Sequence, residues 1–173
     1  VEATSGLLGV PLQRLNDVSS FVRVRALNTL GLLCEARALP MDRFQSVAVE
    51  GLLKLTDKNA NVRKSALQLF STLLKCNPFF PALAREKLEQ RREVLLQSDA
   101  AETASAAISS AEGAAAGSES KEADARTAAL ALLEKALAFE EVMSENLAVV
   151  MQLLSSQTNS DVVEAMNAVV HAH

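Results

Sequence analysis

Few side chains in this sequence have the types and spacings that catalysis needs. The histidines His171 and His173 are two residues apart, so on a helix they would point to different faces and make a poor metal site. Gly113 and Gly117 follow no predicted strand and precede no Gly-Lys-Ser/Thr, so they form no phosphate-binding loop. No Ser or Cys in the patterned blocks has a partner base. We therefore expect a protein that is not an enzyme and that uses no metal or cofactor.

The cysteine content and the apolar runs limit the class of protein. Cys34 and Cys76 fall late in predicted apolar helices, where a buried free thiol is common, so we expect no disulfide and an intracellular chain. No apolar run approaches the roughly 18 residues of a membrane span. The sequence begins at Val1 with no visible leader, and we expect it to be part of a longer protein.

Composition predicts an all-α protein with an uneven charge. The chain has 173 residues, 49% of them hydrophobic, but only six Gly and four Pro, too few for the turns of a β-sandwich or barrel. Residues 1–97 carry 14 Lys and Arg against 9 Asp and Glu, a balance of +5, whereas residues 98–173 carry 3 against 12, a balance of −9. The two parts are therefore expected to meet different partners.

The chain divides into three predicted parts. Residues 1–97 contain two helix pairs and a following charged helix, and residues 128–173 resemble a third, degenerate pair. Between them, residues 98–127 are rich in Ala, Ser and Glu, and Ile108 is their one large apolar residue. Such a stretch buries too little surface to offset its ordering entropy, which predicts a flexible linker.

The strongest signal is an internal repeat. Apolar residues recur at helical spacing from Phe44 to Leu55 and again from Val62 to Leu74, and the short polar connector between these helices predicts antiparallel packing. A shift of 40 residues superimposes eight identical residues: Leu12 on Leu52, Leu15 on Leu55, Asp17 on Asp57, Val22 on Val62, Arg23 on Arg63, Ala26 on Ala66, Leu27 on Leu67 and Leu33 on Leu73. This period is typical of a HEAT-repeat α-solenoid, built of antiparallel helix pairs with right-handed stacking.

The third unit keeps the apolar pattern of the repeat without its polar residues. At an offset of 139, Ala165 and Met166 match Ala26 and Leu27. Ser156 stands in the place of Asp17, and Val162 stands in the place of Arg23. We therefore expect the polar signature to be absent from this unit.

Four repeat residues and four further basic residues are candidate site residues. Asp17, Arg23, Asp57 and Arg63 are predicted to be structural, because the Asp begins the turn and the Arg can reach a loop carbonyl or the acidic group of an adjacent unit. The candidates for contact with DNA or a partner are Arg25, Lys64, Lys87 and Arg91.

A solvated surface explains these four basic residues at least as well as a binding site. Lys87 and Arg91 share a helix face in the run AREKLEQRRE, where salt bridges at i,i+4 spacing are also expected. No aromatic residues are interleaved for base stacking. Any nucleic-acid binding would therefore be phosphate-mediated and salt-sensitive.

Three sequence strings resemble one family of HEAT-repeat proteins. The strings are ALPMDRFQSV, DK-x3-VRKSALQL and the NPF at Asn77 to Phe79, and the resemblance covers roughly residues 12–97. They are similar to the condensin subunit 1 family, the kleisin-associated HEAT subunits of condensin I. The later string AFEEVMSENLAVVMQLLSSQTNSDVVEAMNAVV is similar to the next helical unit of that family.

The resemblance implies a non-catalytic scaffold in mitotic chromosome condensation, located in the nucleus and on chromosomes with a cytoplasmic pool. Its implied partners are the kleisin subunit, the SMC ATPase subunits and double-stranded DNA, with no membrane. The repeat pattern alone also fits a HEAT or armadillo scaffold in transport or signalling, of karyopherin or adaptor type. Binding of a cargo or a GTPase, without affinity for duplex DNA, would distinguish that alternative.

Overall fold

The computed structural model describes residues 2–77, 85–108 and 119–172, and every regular element in these ranges is helical. Its α-helices are α1 (Glu2–Arg14), α2 (Ser20–Glu35), α3 (Phe44–Leu52), α4 (Ala60–Lys75), α5 (Arg85–Ile108), α6 (Glu119–Leu153) and α7 (Asn159–Ala172). Two short 3-10 segments, Met41–Arg43 and Leu53–Thr56, flank α3. The prediction of an all-α, HEAT-like fold is confirmed.

The chain forms two compact units. The first comprises Val1–Pro78 and Glu141–His173, and the second comprises Phe79–Glu140. The predicted linker, 98–127, overlaps the end of α5 and the start of α6, and its residues 109–118 lie outside the described ranges. Its role as a flexible connection stays a prediction.

Antiparallel helix pairs build the first unit, as the apolar spacing predicts. The stripe of α3 from Phe44 to Leu52 is buried, and α4 buries Val62, Leu67 and Phe70 against its neighbours. The Asn59 side chain caps α4 by accepting a hydrogen bond from the Asn61 N–H at 3.0 Å. This capped turn fixes where the second helix of the pair begins.

The second helix of each pair packs against the second helix of the next. Helix α4 contacts α2 on one side and α7 on the other, and these are the most extensive helix contacts among the described elements. Ala26, Ala66 and Ala165, one at the same repeat position in each helix, are all buried. Small side chains at these positions let the helices approach closely. The handedness of the stack stays a prediction.

One position of the third helix pair differs in burial from its counterpart in the first. Met166, which matches Leu27 in sequence, is 57% exposed, whereas Leu27 is fully buried. Helix α2 has α4 packed against its following face, but no helix of the described residues follows α7 in the stack. Met166 and Val170 therefore lie at the surface.

The described part of the second unit contains α5 and the first part of α6. A guanidinium nitrogen of Arg85 on α5 lies 3.6 Å from a carboxylate oxygen of Glu140 on α6. Leu88, Ala136 and Phe139 are buried. None of the helices in the described ranges is long and apolar enough to cross a membrane.

Two helical glycines provide a matched test of this packing. An ideal Cβ at Gly51 would lie 2.5 Å from Cδ2 of the buried Leu69 on α4, whereas one at Gly31 on α2 would meet no atom within 4 Å. Gly31→Ala should raise the free energy of unfolding by about 0.5–1 kcal/mol, because alanine loses less backbone entropy in a helix. Gly51→Ala should be about 1–3 kcal/mol less stable than Gly31→Ala, because Leu69 must move. Equal effects in urea denaturation would contradict the close α3–α4 contact.

Candidate functional site

The turn before each second helix of the first unit has the same hydrogen bond. Oδ1 of Asp17 accepts from the Ser19 N–H at 2.9 Å, and Oδ1 of Asp57 accepts from the Asn59 N–H at 2.9 Å. In the third helix pair of this unit, Oγ of Ser156 accepts from the Thr158 N–H at 3.1 Å. Ser156 therefore takes the turn-forming role of the aspartates, but it carries no charge.

Arg23 joins the first pair of helices to the second. Its Nη1 donates to the main-chain oxygens of Asp17 and Val18, at 2.8 and 3.0 Å, in its own turn. Its Nε and Nη2 donate to the two carboxylate oxygens of Asp57, each at 2.9 Å, in the next turn. Arg23 is 6% exposed, so this bidentate ion pair is largely removed from water.

Arg63 makes the same connection from the second pair to the third. Its Nη1 donates to the main-chain oxygen of Asp57 at 2.9 Å. Its Nε and Nη2 both donate to Oδ2 of Asp161, at 2.9 and 2.7 Å. We call the series Arg23, Asp57, Arg63 and Asp161 the arginine–aspartate ladder.

Asp161 is the site residue that the sequence analysis missed. It is fully buried in the first turn of α7, at the position where the other two helix pairs have Val22 and Val62. Oγ of Ser156 donates to its Oδ2 at 3.1 Å. The carboxylate therefore comes from a position five residues after the turn serine. The available signal was a lone acidic residue at the start of a predicted helix that follows a polar break.

Hydrogen bonds lower the pKa of the two turn carboxylates, Asp57 and Asp17. Burial by itself would raise the pKa of Asp57, but hydrogen bonds from Arg23 and from the Asn59 N–H outweigh it and hold the pKa below the ordinary 3.8. The pKa of Asp17 is also lowered, chiefly by the Ser19 N–H and, more weakly, by Arg14. Both aspartates therefore stay ionised at neutral pH.

Two of the four basic candidates, Arg25 and Lys64, lie in the first unit, and the other two lie in the second. Arg25 is exposed on α2, and Nζ of Lys64 on α4 lies 3.7 Å from a carboxylate oxygen of Glu164 on α7. Lys87 and Arg91 are exposed on α5 in the second unit. Neither makes an ion pair with another described residue, whereas Arg85 pairs with Glu89 at 2.8 Å in the same run.

The cysteine and histidine residues provide no metal site in the part of the chain that the structure describes. Both cysteines are free thiols, and burial, with a smaller contribution from the neighbouring Cys76, raises the pKa of Cys34 to about 12. No group of three or more His, Cys, Asp or Glu is placed to hold a metal ion in the part of the chain that the structure describes. The side chains of His171 and His173 lie outside that part.

Comparison with known proteins supports the family resemblance. No family model matches the chain. The chain is 38% identical over 87 residues, 50% of its length, to "Condensin-1 complex subunit CAP-D2" of Arabidopsis thaliana. It is 42% identical over 64 residues, 37% of its length, to "Condensin complex subunit 1" of Mus musculus and of Homo sapiens. These matches span only 5–6% of the relatives' own length. The resemblance to condensin complex subunit 1 is thus confirmed for part of the chain.

The ladder predicts a pH-dependent loss of stability in Asp57→Asn. This change leaves the Arg23 guanidinium buried without its counter-charge, so the free energy of unfolding at neutral pH should fall by about 3 kcal/mol. Because the folded-state pKa of Asp57 is lowered, its contribution is complete above the ordinary carboxyl pKa and is lost as the pH falls through the lowered value. The difference between the parent and the variant in urea denaturation should therefore shrink below about pH 4.

Asp17→Asn is the matched control. The Asp17 side chain pairs with Arg14, which is largely exposed, so its loss should be much smaller. A difference between the parent and Asp57→Asn that is the same at neutral and strongly acidic pH would contradict an ionised Asp57 in the ladder.

Proposed function

We propose that this chain is a non-catalytic HEAT-repeat scaffold of condensin that binds the kleisin and double-stranded DNA in mitotic chromosome condensation on chromosomes in the nucleus. The observation that carries the proposal is the identity of 38–42% to condensin complex subunit 1 and CAP-D2 proteins over the matched part of the chain. These relatives favour condensin over a transport or signalling scaffold.

The geometry of the first unit supports a scaffold role. The ladder holds the second helices α2, α4 and α7 side by side, so that they present one continuous surface. Stacked helix pairs of this kind bind extended partners along such surfaces. We infer that the kleisin is the direct partner and that the SMC subunits supply ATP hydrolysis in the complex.

The distribution of basic residues suggests which of them would contact DNA. The guanidinium groups of Arg23 and Arg63 are committed to Asp57 and Asp161, so they have little charge to offer a phosphate. Arg25, Lys87 and Arg91 are exposed, and Lys64 is partly exposed. We therefore assign weak, sequence-independent duplex binding to these four residues.

Association with the kleisin is the primary test. The chain, co-expressed with the kleisin of its own species, should co-purify with it through affinity and size-exclusion steps, whereas an unrelated HEAT-repeat protein of similar size should not. Absence of a complex at micromolar concentrations would contradict the assignment. Capture of a cargo or GTPase in its place, without duplex binding at low salt, would favour the transport alternative.

A second prediction concerns the salt dependence of duplex binding by the whole chain. Arg25→Gln with Lys64→Gln, and separately Lys87→Gln with Arg91→Gln, should weaken binding. If both residues of a pair touch phosphates, the slope of log K against log salt should decrease by about 2, since fewer counterions are released. Fluorescence anisotropy with a labelled duplex over a range of salt concentrations measures this slope.

Each pair has a control of equal charge in the same unit. Lys58→Gln with Lys75→Gln matches the first pair, and Arg92→Gln with Lys135→Gln matches the second; all four of these residues are exposed. The control variants should keep the parent slope. If test and control variants behave alike, binding reflects overall charge and not the assigned residues.

A further inference from the structure

A groove runs between the second helices of the first unit. A cavity of about 490 Å³ lies between α2 and α4, and a second, of about 330 Å³, is lined by residues of α2, α4 and α7. Gln68 on α4 lines both cavities. The two cavities therefore adjoin and form one groove on the second-helix surface.

Carboxamide side chains recur at the same repeat position along this groove. Asn28 on α2 corresponds to Gln68 on α4 in the alignment at a shift of 40 residues. It corresponds to Asn167 on α7 at the offset of 139. Asn28 lines the first cavity, Asn167 lines the second, and Gln68 lines both. We call these three residues the carboxamide ladder.

The charges of the groove exclude a polyanion as its best occupant. The ionisable side chains that line it are Lys64, Lys75, Glu35 and Glu164, so its formal charges cancel. Glu164 also lies 3.7 Å from Lys64 and partly compensates it. An uncharged main chain, rich in both donors and acceptors, complements a neutral groove lined by amides, whereas phosphates would meet two carboxylates.

The side-chain amides of the carboxamide ladder have donors and acceptors that are available to a ligand. Asn28 and Asn167 are exposed, and their side chains make no hydrogen bond within the described part of the chain. Gln68 donates its amide to Glu164 at 3.0 Å, which leaves its oxygen as an acceptor. Packed helices lie about 8–10 Å apart, and an extended chain rises about 3.3 Å per residue. Successive ladder amides would thus meet about every third residue of a crossing peptide.

An aromatic side chain marks one end of the groove. Phe21 on α2 lines the first cavity and is 72% exposed, and Val24 lies beside it. An exposed phenyl ring next to polar amides provides apolar contact for one side chain of a bound segment. The groove therefore combines main-chain recognition along its length with a single apolar contact at one end.

We propose that the carboxamide ladder binds the main chain of an extended polypeptide segment that crosses α2, α4 and α7, with an apolar side chain of the segment against Phe21. This inference rests on the proposed scaffold function, since it names the surface that a polypeptide partner such as the kleisin would occupy. It differs from the duplex-binding assignment in its chemistry, and Lys64 is the one residue that the two assignments share.

The test is binding of overlapping synthetic peptides that tile the kleisin sequence, measured by fluorescence anisotropy with the whole chain. At least one peptide should bind, and Asn28→Ala with Asn167→Ala should weaken its Kd roughly tenfold, as expected for two lost hydrogen bonds. Gln13→Ala with Gln45→Ala removes two exposed amides from the first helices α1 and α3, outside the groove, and should leave Kd unchanged. Both double variants should keep the parent melting temperature.

Three outcomes would overturn the carboxamide ladder. The first is that no peptide binds, and the second is that the test variant binds peptides as well as the parent does. If the chain nevertheless co-purifies with the kleisin, either result leaves the proposed function standing and removes only this site. The third is that Asn28→Ala with Asn167→Ala loses duplex binding and keeps peptide binding, which would identify the groove as a nucleic-acid site.

Discussion

The organisation of the first unit depends on two arginines that each serve two turns. Arg23 holds the carbonyl oxygens of its own turn and the carboxylate of the next, and Arg63 repeats this arrangement one unit later. A buried guanidinium without its carboxylate is costly, so only one register of neighbouring pairs satisfies both arginines. Apolar stripes alone would tolerate small slips along the helices. The ladder thus converts hydrophobic stacking into a defined alignment of α2, α4 and α7.

This alignment has a direct consequence for the outer surface. Because the second helices are held in register, residues at one repeat position come to lie in a row, and the amides of Asn28, Gln68 and Asn167 line one groove. Arg23 and Arg63 are paired with aspartates and do not line this groove, and the charges of the lysines and glutamates that do line it cancel. Of the basic residues assigned to phosphate contact, Lys64 lines the groove beside Glu164, whereas Arg25, Lys87 and Arg91 are not among its lining residues. Three of the four side chains assigned to DNA are therefore not part of the groove assigned to a polypeptide.

The third unit shows how the stack continues where the sequence motif does not. Ser156 forms the turn that Asp17 and Asp57 form elsewhere, but a serine cannot neutralise Arg63. Asp161, five residues further on, supplies the charge and accepts a hydrogen bond from Ser156. The two tasks that Asp57 performs in the second helix pair are divided between Ser156 and Asp161 in the third. The chain matches condensin subunit 1 proteins over part of its length. In this chain, Ser156 and Asp161 together complete the arginine–aspartate ladder.

The helix pairs, the period of 40 residues and the repeat arginines can all be read from the sequence alone, because helical spacing and direct repetition are local properties of the chain. Alignment places Ser156 at the position of Asp17, but the turn hydrogen bond of Ser156 is visible only in the structure. The third carboxylate could not be predicted, because Asp161 reaches Arg63 across 98 residues of sequence from a position that is apolar in the other helix pairs. Likewise, the exposure of Met166 depends on which helix lies beside α7. Such choices belong to the tertiary structure, since burial and charge compensation depend on neighbours that are distant along the chain.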